Sequence, residues 1–136
     1  MDIRGSFVFL IGDPSLDFED IEKNLPIIPT DIIKKGDLRK LRKNHKNPYD
    51  IWMYEIKIRD RENIFDDLLE LLELLTPYSE YIKRISGIYK RVVINCYLRT
   101  DYGQIGLEMY NELFHKLADL GLQLDFHILS YGYVKD

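Results

Sequence analysis

The sequence predicts an α+β fold. The expected form is a two-layer sandwich of about four largely antiparallel strands with helices on one face, a relative of the ferredoxin-like architecture. Three observations carry that prediction. Short β-prone segments, most of them alternating apolar and polar residues, recur along the chain. Between them lie segments whose apolar residues repeat at helical spacing. The order is β-α-β over 6–58 and again over 91–128, with a further helix at 64–75 between. At 136 residues the chain is one domain, able to bury about two-thirds of its unfolded surface without a disulfide or metal staple.

Each element has a local cause. Ser6 to Ile11 is β-prone and stops at Gly12-Asp13-Pro14, which marks a strand and a turn. Asp17 to Asn24 is a short helix with Phe18, Ile21 and Leu25 on one face and acidic residues in its first turn; Pro26 stops it. Pro26 to Thr30 is extended, because both prolines oppose helix. A basic loop is expected over about 31–50. Ile51 to Ile58 alternates, with Trp52, Tyr54, Ile56 and Ile58 on one face. Ile64 to Leu75 is a leucine-rich helix with Asn63 as N-cap and Pro77 as its stop. Residues 78–90 fit either a helical turn or a short strand.

Arg91 to Arg99 is the clearest strand: Val92, Ile94, Cys96 and Leu98 point inward, Val93, Asn95 and Tyr97 outward. A helix is expected from Ile105 to Leu120, burying Leu107, Tyr110, Leu113, Phe114, Leu117 and Leu120, with Gly121 as its C-terminal cap. Leu122 to Ile128 forms the last strand, and 130–136 is a tail or a short pairing. One sheet face then stays open, carrying Met53, Glu55, Val93, Asn95, Tyr97, Gln123, Asp125 and His127.

Composition narrows the function classes. Hydrophobic residues make up 46% and charged residues 31%, as in a globular domain. No apolar run reaches the length of a membrane helix, and the N-terminus lacks a signal-peptide pattern, so the expectation is a cytoplasmic protein with no membrane partner. Between 31 and 46, seven basic residues face two acidic ones. That places +5 on a chain whose total is −4. The remaining acidic body argues against nucleic acid as the partner.

Candidate chemistry is sparse. Asp125 and His127 leave the same strand face, as an acid/base pair or two metal ligands would, but no spacing supplies further ligands. Cys96 alternates with Val92, Ile94 and Leu98 and reads as a small core residue, not a nucleophile. His45 sits in a polar loop. Phosphate-binding glycine motifs are absent, and no catalytic residue, metal or cofactor is assigned. The distinctive feature is two acidic helix faces. One is Glu62, Asp66, Glu70 and Glu73; the other is Glu108, Glu112 and Asp119, with His115 among them. Such faces complement a basic protein.

Several segments in order carry a resemblance. They are Gly12-Asp13, Asp20-Ile21, Leu25, Ile28-Pro29-Thr30, Lys35-Gly36-Asp37, Trp52 opening its strand, the helix 64–75, the strand 91–99, and Leu117-Ala118-Asp119-Leu120-Gly121 running into Leu122 to Phe126. The chain resembles the bacterial family catalogued as domain of unknown function 4279 over nearly its whole length. The resemblance implies a small cytoplasmic α+β domain and no catalytic residues. Pro29, Gly36 and Trp52 read as fold residues: a fixed turn, an unusual backbone angle and core filling.

The expectation is therefore a non-enzymatic protein-binding module, of the immunity type. It would bind a cognate partner, a basic toxin, and occlude its active site with the acidic surface Asp66, Glu70, Glu73, Glu108, Glu112 and Asp119. The alternative is a homo-oligomeric (homodimeric) or small-ligand-binding accessory domain. It would use the open sheet face, with Tyr97, Asp125 and His127.

Overall fold

A computed structural model describes residues 3–39, 42–46, 48–59 and 63–134. Its main sheet has five strands: β1 (Ile3–Asp13), β2 (Asp31–Ile33), β5 (Asp50–Lys57), β6 (Arg91–Tyr102) and β7 (Gln123–Tyr133). A separate hairpin joins β3 (Leu38–Arg39) to β4 (Arg42–Lys46). The helices are α1 (Phe18–Asn24), α2 (Phe65–Leu75), α3 (Ser79–Ser86) and α4 (Asn111–Leu120). The sheet order is β2-β5-β1-β6-β7. Every pair is antiparallel except β6–β7, which is parallel and bridged by α4, the kind of crossover a parallel pair needs.

β1 is central, with β5 on one side and β6 on the other. Phe7, Phe9 and Ile11 are fully buried on one face, where they meet Trp52 of β5 and Val92, Ile94, Cys96 and Leu98 of β6 in one core. Phe9 meets Trp52 edge-on, with centroids 5.9 Å apart. Phe65, Leu68, Leu71, Leu72 and Leu75 of α2 close that core from above with nothing exposed. Each such side chain contributes roughly 1.5–3 kcal/mol. Ile21 of α1, Ile82 and Ile85 of α3, and Leu113, Leu117 and Leu120 of α4 complete it, so the helices share one sheet face. The other face is open, as the alternation predicts.

The differences from expectation have physical causes. The sheet gains a fifth strand, β2, inside the segment expected to be a basic loop. Thr30 anchors it: its N–H donates to the Met53 carbonyl at 2.8 Å, and its hydroxyl accepts from the Glu55 N–H at 2.8 Å. The ambiguous stretch is helical. Pro77 ends α2, but it then occupies the first turn of a 3-10 segment, Thr76–Tyr78, that leads straight into α3, a position where its missing N–H costs nothing.

The C-terminal helix is shorter than expected. It starts at Asn111, because Gly106 weakens the preceding turn and Tyr110 is extended (φ −106°, ψ 162°) so that its ring reaches α2. Phe114, expected in the core, is 54% exposed, since α4 buries only the Leu113, Leu117 and Leu120 stripe. Val93 and Asn95, expected on the open face, do lie there. They are nevertheless buried, as are Val8, which stands opposite Asn95, and Ser6 on the same face of β1.

Candidate functional site

The acidic surface is built from α2, α4 and the segment before α4. Asn63, expected as the N-cap of α2, stands one position before the cap residue Ile64, and its side-chain oxygen accepts the Phe65 N–H at 3.0 Å. Its side-chain nitrogen donates to the Glu108 carbonyl at 3.2 Å and ties the approach to α4 to the start of α2. One residue into α4's approach, the Tyr110 hydroxyl donates to Asp66 at 2.8 Å. At the other end, Gly121 after α4 lies beside Lys83 of α3. The two helices therefore run side by side in the same direction.

Tyr110 bonds one of these carboxylates and feels the charge of two others. Burial, the hydrogen bond to Asp66, and the negative charges of Asp66, Glu112 and Glu73 push its phenol up to about 12. Three of the six expected partner-binding residues thus act on one hydroxyl, although they come from two helices. Glu73, Glu108, Glu112 and Asp119 are exposed. Glu70 is exposed but paired with Arg59. Asp119 stands apart from Glu112, seven residues along α4 and about 10 Å at 1.5 Å per residue. Glu62 of the expected stripe lies outside the described residues. A groove of about 680 Å³ opens beside this cluster, between Asn63 and Asp66 on one side and Gln104, Gly106 and Glu108 on the other.

Arg59, Asp67 and Tyr110 are absent from the site as the sequence predicts it. Asp67 is fully buried and accepts both the Arg59 backbone N–H at 3.0 Å and its Nε–H at 2.9 Å. Arg59 therefore links the end of β5 to α2 and neutralises part of the acidic face. The position of Asp67 is legible in hindsight: it precedes Leu71 by one helical turn and so shares the buried side.

The open sheet face carries Tyr97, Asp125 and His127 together. Asp125 and His127 share the face, as their spacing predicts, but they have different partners. Asp125 pairs with Arg91 at 3.2 Å and accepts from Gln123 at 2.6 Å. His127 lies 3.3 Å from the Asn95 side-chain oxygen and stacks on Tyr97, with ring centroids 4.9 Å apart and planes at 18°. A groove of about 720 Å³ runs past this stack, lined by Glu55, Lys57, Tyr97, Arg99, His127 and Leu129. It offers both signs of charge and an aromatic wall.

Cys96 is buried on the opposite face of β6. Desolvation, with a smaller push from the charge of Asp125, raises its thiol to about 12. Among the described residues, no three His, Cys, Asp or Glu side chains are grouped to hold a metal ion. No described helix is long and apolar enough to cross a membrane.

Residues 4–131, from β1 into β7, match the family model described as Domain of unknown function (DUF4279). Neither a curated protein nor a solved structure matches the chain.

Proposed function

The chain belongs to the DUF4279 family, and from that premise we propose that it is a non-enzymatic, cytoplasmic protein-binding module of the immunity type. Its partner is a basic protein, a toxin whose active site the acidic helical surface covers. The observation that supports this reading is that Asp66 of α2 accepts the Tyr110 hydroxyl while the charges of Glu112 and Glu73, from α4 and α2, act on the same phenol. Like charges held together raise the local negative potential, and a basic surface relieves it on contact. Glu108 extends the surface along the groove beside Asn63, and Asp119 extends it along α4. Glu70 contributes less, because Arg59 already answers it.

The test is native mass spectrometry of the tagged protein purified from its own cells, beside a variant with Glu73→Lys, Glu112→Lys and Asp119→Lys. Each of these side chains is exposed, so circular dichroism should show an unchanged fold. The expected result is a stoichiometric basic protein on the parent, released by salt and missing from the variant. A partner retained equally by both proteins, or a parent that carries none, overturns the assignment.

The groove beside the Tyr97–His127 stack favours a second reading, a small-ligand-binding accessory domain. Lys57 and Arg99 would hold an anionic group while the stacked rings cover an apolar one. The same spectrum separates the readings, since this one leaves a small adduct that Tyr97→Ala removes and the helix variant keeps.

A further inference from the structure

The sheet has two edges of opposite character. β2 is three residues long and flanked by Pro29, Lys34 and Lys35. Short length, proline and lysine all discourage pairing at an edge. β7 is eleven residues long and bonded only to β6. Up to Ser130, beyond which the pairing with β6 shifts register and Gly132 takes a φ of +80°, every second residue directs its N–H and C=O away from the sheet. β7 contains no proline, lysine or arginine, and its single formal charge, Asp125, is paired with Arg91. Large apolar side chains stand exposed along it: Phe126 at 39%, Ile128 at 47%, Leu129 at 51% and Tyr131 at 54%, with Val134 at 86% just beyond.

We propose that β7 pairs antiparallel with β7 of a second copy about a twofold axis near Leu129, joining the two sheets into one. A twofold contact brings a patch against itself, so the patch must be free of like charge. Residues 126–134 meet that condition, on a chain whose net charge is −4. The two Asp125 residues lie four positions to either side of the axis, roughly 25 Å apart at about 3.3 Å per residue. Because the exposed side chains project from the two faces of the sheet, pairing at the edge covers only their flanks, less than the roughly 1,000 Å² of a stable specific interface. The dimer is therefore a weak one. A different protein lending a strand would find the same backbone groups, but the one charge on β7, Asp125, is already paired with Arg91. The contact uses neither α2 nor α4, so it stands apart from the acidic-surface reading.

Sedimentation velocity of the full chain from low-micromolar to near-millimolar concentration tests it. The parent should pass from monomer to dimer, Leu129→Lys should stay monomeric throughout, and Ile28→Lys at the opposite edge should behave as the parent. A second arm holds even where Leu129→Lys fails to fold. Leu129→Cys should oxidise to a covalent dimer, with the buried Cys96 taking no part, while the more exposed Ile28→Cys should not. A parent monomeric at every concentration, a dimer that survives Leu129→Lys, or covalent dimer formed no faster from Leu129→Cys than from Ile28→Cys overturns the proposal.

Discussion

Gly5 shows how much one residue can decide. Its φ is +144°, and a Cβ built there falls 1.7 Å from the Tyr97 carbonyl oxygen of the neighbouring strand. Gly36 also has positive φ, at +92°, but nothing lies within 4 Å of its Cβ position. Gly5→Ala should therefore cost about 3 kcal/mol or more, and Gly36→Ala about 1 kcal/mol. Urea unfolding of both variants measures the steric part as the difference; equal losses would remove the close approach as its cause. Cys96 makes the complementary case. Its thiol is buried and raised to about 12, so a thiol reagent at pH 8 should leave the folded protein unlabelled and modify it in denaturant. Rapid labelling of the native state would contradict that burial. The Cys96 position is legible from alternation alone, whereas Gly5 is not. What forbids a side chain at Gly5 is a carbonyl 92 residues away in the chain.

At the scale of elements, the strands and α2 follow from local pattern, and the errors fall where long-range contacts override it. α4 is the clearest example. Its apolar spacing continues back to Leu107, yet Tyr110 leaves the helix because its hydroxyl gains Asp66 and its ring gains the core edge. The segment 78–90 lacks the length for a clear period, and α3 is settled by Tyr81, Ile82 and Ile85 packing beneath it. Tyr81 also donates to Asp20 of α1 at 3.0 Å and lies under the Arg84 guanidinium, 5.1 Å from the ring centre. Asp67 is the polar counterpart. A carboxylate inside the α2 face conflicts with pattern until Arg59 supplies its partners.

For the whole molecule, three buried or half-buried acids share one sign of shift. Cys96 and Tyr110 are raised to about 12, and Tyr81 is raised by burial and by its bond to Asp20. Each is held neutral in the folded state, while the unfolded chain ionises at the ordinary thiol and phenol values of 9.0 and 10.0. The unfolded state therefore binds fewer protons in this range, and stability falls as pH rises. The contribution is complete below about pH 9 and is lost on the way to pH 12. Thermal melts between pH 8 and pH 11.5 should show a falling midpoint, and Tyr110→Phe should make the fall shallower. A midpoint that is flat across that range would show that these groups are solvated.

The sequence by itself determined the α+β class, the single core, the open sheet face and the family. All of these depend on residue period and composition, which are local quantities. Tertiary structure alone decided that Asp66 bonds Tyr110, that Arg59 answers Glu70, that Asp125 and His127 take separate partners, and that β7 lies at the edge of the sheet. Each of those facts is a distance between residues far apart in the chain. Packing sets such distances, and no window along the sequence contains both ends.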